Sequence, residues 1–254
     1  MPKFILIFFL IFGFFSQYSA VKAEGDISLS REDGIEAYDA GKYQEAVNQY
    51  KSLIRQYPGN GHLYYNLGNA FFRVDHRGES IAAYMKARDL LPRDPDIRKN
   101  LSFVVSQNKD KLSPDMPKSL LMSLAFWSDF VTLKELAYAC ALSFAIAFFL
   151  FVFVLLKPKF EMVRFLAFSF LSLGIVFAFA SSISWSLTQK WGAVVAPIAK
   201  VKSGPGQDNA VVFELHEGAP FVAKQKESNW YQIELSDGKI GWLASSDARI
   251  YFEL

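Results

Sequence analysis

The strongest constraint on the fold is a pair of charge-free runs, Leu136–Leu156 and Phe165–Leu187. In lipid a chain must satisfy its own backbone hydrogen bonds, and an α-helix needs about 20 apolar residues to cross the hydrocarbon core. Both runs reach that length, so both are expected to span. The connection Lys157–Arg164 carries Lys157, Lys159 and Arg164 against Glu161 alone, whereas the opposite flanks carry Lys134 with Glu135 and Lys190. Cations are retained on the cytoplasmic side, which places the turn inside and both flanking regions outside. Neither run holds an acidic, basic or His residue, so ion or proton transport finds no support. Small residues four apart, Ala137, Ala141 and Ala145 in the first run and Gly174, Ala178 and Ser182 in the second, are expected to form the hairpin contact. A lateral partner's docking face is the alternative.

The first residues read as an export signal: Lys3, an apolar stretch from Phe4 to Phe15, then Val21-Lys22-Ala23 as a small-residue cleavage site. The single cysteine, Cys140, lies inside the first apolar run, so no intramolecular disulfide and no lipid-bearing cysteine at the cleavage site is available; a buried structural thiol is expected.

Between signal and membrane the sequence repeats. Sliding it against itself by the 34 residues of a tetratricopeptide unit brings Gly34 onto Gly68, Tyr38 onto Phe72, Ala46 onto Ser80, Tyr50 onto Tyr84, Leu53 onto Ala87 and Pro58 onto Pro92. Paired antiparallel helices need a small residue where their axes approach and an aromatic in the next gap, and Pro ends the second helix. The stretches Leu63–Phe72 and Gly41–Ala46 resemble the first helix of a tetratricopeptide repeat and the turn into its second helix. Two repeats bury little core. Asp94-Pro95-Asp96 with Ile97, Leu101, Val104 and Val105 supplies an N-capped amphipathic helix expected to cap the array.

The resemblance implies a concave groove along the first helices, walled by Arg31, Tyr38, His62, Tyr65, Asn69, Phe72 and Arg73. Tyr38 and Phe72 are equally readable as packing residues. Ile35 and Asp96 stand where a version of the groove that clamps a C-terminal carboxylate would need Asn and a cation, so this chain departs from that version. Beyond the repeats, Ser113-Pro114-Asp115-Met116-Pro117 breaks the helices. Leu120, Leu121, Leu124, Trp127 and Phe130 then recur at helical spacing, as in a segment lying on the membrane surface.

From Gly192 the pattern changes to short alternating segments. Trp230–Leu235, a Ser236-Asp237-Gly238 turn and Lys239–Leu243 read as a hairpin. Val201–Gly206, Leu215–Gly218, Asn229-Trp230-Tyr231 and Gly241-Trp242-Leu243 resemble, in order, the signature of bacterial SH3-like domains, with Lys202 where Arg is usual. Alternation puts Tyr231, Ile233 and Leu235 toward the core and Trp230 on the other face. Trp230 and Trp242 are the candidate ligand face, or a cover over the barrel end.

The sequence thus predicts a multidomain membrane protein: an all-α tetratricopeptide solenoid, a two-helix transmembrane hairpin and a small all-β SH3-like barrel. Expected boundaries are a signal peptide over 1–23, repeats with capping helix over 27–111, linker and interfacial segment over 112–135, first span 136–156, cytoplasmic turn 157–164, second span 165–187 and SH3-like domain 190–254.

Catalytic chemistry is not visible. His62, His76 and His216 form no zinc pair and no dyad with Cys140, and no phosphate loop, dinucleotide fingerprint or nucleophile elbow occurs. No metal or cofactor is implied. A net charge of only +2 provides no basic surface for nucleic acid. The order of parts resembles the BatE family of the Bat aerotolerance operons. That resemblance implies a non-enzymatic inner-membrane component that partners von Willebrand factor A domain proteins and is linked to stress or aerotolerance. The alternative is a cell-wall sensor or tether whose SH3-like domain binds peptidoglycan peptides.

Overall fold

The computed structural model describes residues 34–115, 127, 130–157 and 159–251. The expected signal segment, Arg31, and the Leu120, Leu121 and Leu124 part of the interfacial segment lie outside the described residues.

The helical module begins with α1 (residues 34–39), then α2 (Tyr43–Gln56), α3 (Gly61–Arg73), α4 (Arg77–Leu90) and α5 (Pro95–Ser106). The repeat has a direct steric cause. A Cβ on Gly34 would stand 2.6 Å from the Tyr50 ring, and a Cβ on Gly68 would stand 2.7 Å from the Tyr84 ring, the equivalent pair one repeat later. Tyr50, Tyr84, Phe71, Leu63 and Leu67 are buried with Ala46, Ala83 and Ala87 between them. Ser80 Oγ donates to the Gly68 carbonyl at 2.8 Å, so a polar residue is satisfied where the first repeat uses Ala46. Helix α5 starts on Asp94, whose side chain accepts from the Asp96 and Ile97 amides, with Pro95 in its first turn. Its buried residues are Ile97, Leu101, Val104 and Val105.

Two long apolar helices follow, α6 (Leu133–Leu156) and α7 (Glu161–Leu187), each long and apolar enough to cross a membrane. Thr132 opens α6 with a capping box: its hydroxyl accepts from the Glu135 amide while the Glu135 carboxylate accepts from the Thr132 amide. The helices pack against each other, but of the expected stripe only Gly174 lies buried in the contact. Ala137, Ala141 and Ala145 are exposed, as are Ala178 and Ser182. The seam is made by Leu136, Ser143 and Ala147 against Ala167 and Gly174, with Cys140 half-buried and its Sγ 3.6 Å from the Gly174 carbonyl. The reason is angular. The seam of α6 runs Leu136, Cys140, Ser143 and Ala147, steps of four and three that alternate and keep to one side of a helix, whereas Ala137 stands one residue, about 100°, round from Leu136 and repeated steps of four drift about 40° each.

The C-terminal module is an antiparallel sheet of β1 (Lys190–Val194), β2 (Ile198–Lys202), β3 (Val211–His216), β4 (Pro220–Glu227), β5 (Trp230–Glu234), β6 (Ile240–Ala244) and β7 (Ala248–Ile250). Its order is β3-β2-β6-β5-β4-β1-β7. The predicted hairpin is β5–β6, with Ile233 opposite Gly241 and Gly238 at φ 86° in its turn. Val201, Leu215, Phe221, Ile233, Leu235 and Leu243 form its core. β3 and β7 stand at the two ends of the strand order.

The helical and β modules share a hydrophobic cluster. Ile81, Ala82, Tyr84 and Met85 of α4 and Leu101, Val104 and Val105 of α5 pack with Trp191, Ala193 and Val222 of the sheet. The sheet thus covers the face that a further helix would cover in a longer repeat array. Polar contacts frame the seam. Arg249 donates through Nε and Nη2 to both Glu79 oxygens, at 2.7 and 2.8 Å. Asn108 Nδ2 donates to the Gly218 carbonyl at 2.7 Å, and the His216 amide donates to Asp110 Oδ2 at 2.6 Å. Burying a side chain the size of Met85 or Ile81 stabilises by roughly 1.5–3 kcal/mol, against about 1 kcal/mol or less for a partly exposed ion pair. The apolar seam therefore holds the modules together, and the polar frame sets their register.

Candidate functional site

Two sets of residues are candidates for binding. On the helical module, α3 and α5 set a stripe of side chains where the groove is expected. The Tyr84 hydroxyl, reaching through from α4, donates to Asn69 Oδ1 at 2.6 Å. Asn100 Nδ2 donates to the same Oδ1 at 3.2 Å and to the Tyr65 hydroxyl oxygen at 3.0 Å. Burial pushes the Tyr84 phenol well above its ordinary range, so it remains a donor. One turn further along, Phe72 and Phe103 meet edge to face with centroids 5.8 Å apart. Toward α1, the Arg73 guanidinium lies 4.1 Å from the Tyr43 ring centroid and 5.9 Å from that of Tyr38.

Of the residues picked from sequence, the structure therefore links Tyr65 with Asn69, sets Tyr38 against Arg73, and places Phe72 against a new neighbour. His62 stands exposed in the first turn of α3. Asn100 and Phe103, half-buried and exposed respectively, were missed. Carrying the 34-residue period one step past Asn66 and Asn69 would have found both, because α5 serves as the first helix of a third repeat as well as a cap.

On the sheet, Gln207, Asn229, Trp230, Ala244, Ser245 and Ser246 line an open cavity of about 560 Å³. Its lining is an indole, two hydroxyls and two carboxamides, with no charged side chain. Trp230 is only 9% exposed. The Lys202 ammonium lies 5.5 Å from its ring centroid and is held by the Gln207 backbone carbonyl and, at 3.3 Å, by Gln207 Oε1. Trp242 pairs across the strands with Gln232 and Lys202, is 7% exposed, and does not line the cavity.

Among the described residues no group of three or more His, Cys, Asp or Glu stands together as a metal site. The one His–Asp pair that could suggest acid–base chemistry, His216 Nδ1 with Asp110 Oδ1 at 3.1 Å, belongs to the seam between the modules, with Lys109 Nζ at 2.7 Å from Nε2.

The fold defines a class: a hairpin of two helices long and apolar enough to cross a membrane, carrying a helical-repeat module and a small antiparallel β-module fused through one core. The comparisons agree with the helical-repeat and β modules. A family model described as TPR repeat matches residues 34–75, and one described as Bacterial SH3 domain matches residues 199–248. Both describe domains that are typically non-catalytic binding units. A search of curated proteins returns no match to the chain.

Proposed function

We propose that the chain is a non-enzymatic scaffold of a bacterial inner membrane, with both soluble modules in the periplasm and protein partners recruited by the repeat groove. The observation that carries this reading is the shared seam of α4 and α5 with β1 and β4. Modules that share a core belong in one compartment, and two spans between them with a cytoplasmic turn at Lys157–Arg164 would put both outside. The resemblance to the BatE family supports a place in a Bat-type complex linked to stress or aerotolerance, with von Willebrand factor A domain proteins as partners. Reporter fusions after Ser113, Lys159 and Leu254 are expected to report outside, inside and outside; any other order overturns the topology. Affinity capture from solubilised membranes should recover the von Willebrand-type partners, and changing Tyr65 and Phe72 to polar residues should lose them. Recovery undiminished by those changes removes the groove from the function.

A second reading is favoured by the Trp230 cavity and the bacterial SH3 match: the β-module contacts peptidoglycan peptides. Cosedimentation with purified sacculi tests it, and the full chain in nanodiscs is the right material. An isolated β-module would expose Trp191 and Val222, which the helices bury, and would stick for the wrong reason. Loss of cosedimentation on Trp230→Ala supports the reading; no cosedimentation at all removes it.

A further inference from the structure

The helical module is tied to the ends of the two long apolar helices, and the ties give it a direction. Arg93, in the turn between α4 and α5, donates through Nη2 to Glu135 Oε1 in the first turn of α6. Lys134 reaches the turn between α2 and α3, where a Cβ on Gly59 would stand 2.8 Å from its Nζ. Arg88, in the last turn of α4, donates to Asp115 Oδ1 at 2.7 Å, and its guanidinium lies 5.4 Å from the ring centroid of Trp191, just past the end of α7. From there β1 and α4 run side by side in opposite directions: Val194, at the end of β1, lies against Gly78 in the first turn of α4. The 14 residues of α4 make that helix about 20 Å long. The α2–α3 and α4–α5 turns therefore stand level with the start of α6 and the end of α7, and the α1–α2 and α3–α4 turns stand a helix length away.

The near end is cationic. Lys134 and Arg93 are exposed, as is Arg98, whose guanidinium donates to the Pro92 carbonyl. The carboxylates beside them are engaged: Asp94 accepts from the first amides of α5, and Glu135 accepts from Thr132 and Arg93. Of the acids in these turns Asp96 alone is exposed without a partner among the described residues. At the same ends of the apolar helices Tyr138 and Trp185 are largely exposed, and these are the side chains that settle at a lipid–water boundary.

Resting on the reading that α6 and α7 cross a membrane, we propose that the helical module stands upright on the outer surface of that membrane, its α2–α3 and α4–α5 turns seated against phospholipid headgroups. Lys134, Arg93 and Arg98 take the lipid phosphates, since long basic side chains keep their stems on apolar surface and their charge at the headgroups. The bilayer is the occupant because the chain brings it there: Lys134 belongs to the first turn of a helix with no charged residue from Leu136 onward. The repeat array is then held at one height and one angle, with its far turns about a helix length above the lipid, in place of swinging on a tether.

The test uses the full-length protein in nanodiscs of phosphatidylethanolamine and phosphatidylglycerol, with Cys140→Ser removing the native thiol and one fluorophore on an introduced cysteine. A lipid carrying a nitroxide on its headgroup should remove most of the emission at Pro58→Cys and leave that at Lys42→Cys, in the far α1–α2 turn, unchanged. Where Pro58→Cys disturbs its turn, Asp96→Cys serves in its place. Raised ionic strength, or Lys134→Gln with Arg98→Gln, which spare the Arg93–Glu135 tie, should restore much of the lost emission. Quenching indifferent to both changes overturns the phosphate contact and with it the proposal. A fluorophore at Leu142→Cys, exposed in the middle of α6, separates this failure from that of the membrane reading, using a nitroxide on the acyl chain. Leu142→Cys quenched, with Pro58→Cys and Lys42→Cys equally bright or equally dim, overturns the upright module and leaves the membrane reading standing. Leu142→Cys unquenched overturns both.

Discussion

Two seams hold this molecule together, and they are built differently. The seam between α4, α5 and the sheet joins segments far apart in sequence and buries large apolar side chains framed by hydrogen bonds and an ion pair. The seam between α6 and α7 joins neighbours across a short turn and is made of Ala, Ser and Gly with few large residues. In water, removing apolar area from solvent drives docking. Were α6 and α7 to lie in lipid, as the proposed function has it, that drive would be absent and contact would depend on close approach. A glycine sits at each seam and marks the contrast. A Cβ on Gly78 would stand 2.0 Å from the Val194 carbonyl oxygen, a backbone atom that cannot step aside, whereas a Cβ on Gly174 would meet the Phe144 ring at 3.0 Å. Phe144 is itself exposed and able to turn.

The contrast can be broken most severely at Gly78. Gly78→Val should undock the β-module while leaving each module folded, seen as a new, earlier melting step in calorimetry and as fast hydrogen exchange along β1 and β7. A single cooperative transition at the original temperature would show that the modules are not held there. Trp191→Ala, at the other side of the same seam, should destabilise docking by about 3 kcal/mol, measured by denaturant titration of the nanodisc-embedded protein. Glu79→Ala should cost about 1 kcal/mol. Arg249 is half exposed and can return to water, so the apolar seam survives the loss.

Alkali offers a gentler probe of the docking seam. Burial, followed by the charge of Glu79, holds the Tyr251 phenol above its ordinary value of 10.0. Its ring packs edge to face on Tyr64 of the helical module at 5.5 Å. A group that stays protonated in the folded state contributes stability that is intact below pH 10 and is lost as pH rises beyond it. Docking should therefore weaken above pH 10, and Tyr251→Phe should reduce that slope without abolishing it, because Tyr64 and Tyr84 are also raised by burial. The smallest effect belongs to the hairpin: Gly174→Ala should cost less than about 1 kcal/mol, with spin-label distances between α6 and α7 growing only slightly. A change there as large as that of Trp191→Ala would erase the distinction between the seams.

What was legible in the sequence was whatever repeats. Gly34 with Tyr50 and Gly68 with Tyr84 recur because the same close approach is built twice, and the two long apolar helices declare themselves by length and absence of charge. The docking seam left a fainter mark. Phe221, Val222 and Ala223 are consecutive apolar residues, and all are buried, so β4 is covered on both faces: Phe221 and Ala223 lie in the sheet's own core and Val222 in the seam. A run of that kind signals a second layer, but it does not say which segment supplies it. The hairpin stripe was misplaced because small residues were counted in fours alone, where the packing of α6 alternates fours and threes from Leu136. Tyr65 and Asn69 were picked from the repeat, whereas their neighbour Asn100 was hidden by reading α5 only as a cap.

The docking seam also sets a timetable. Gly218, which accepts from Asn108, follows it by 110 residues. At about 5–20 residues per second of synthesis, roughly 5–20 s separate the emergence of the two partners, and both apolar helices emerge in that interval. The outer face of α4 must wait uncovered until then, so a molecule whose α6–α7 hairpin fails to form also leaves its helical module without a lid. Correct pairing of the hairpin is thereby written into the stability of a region outside it.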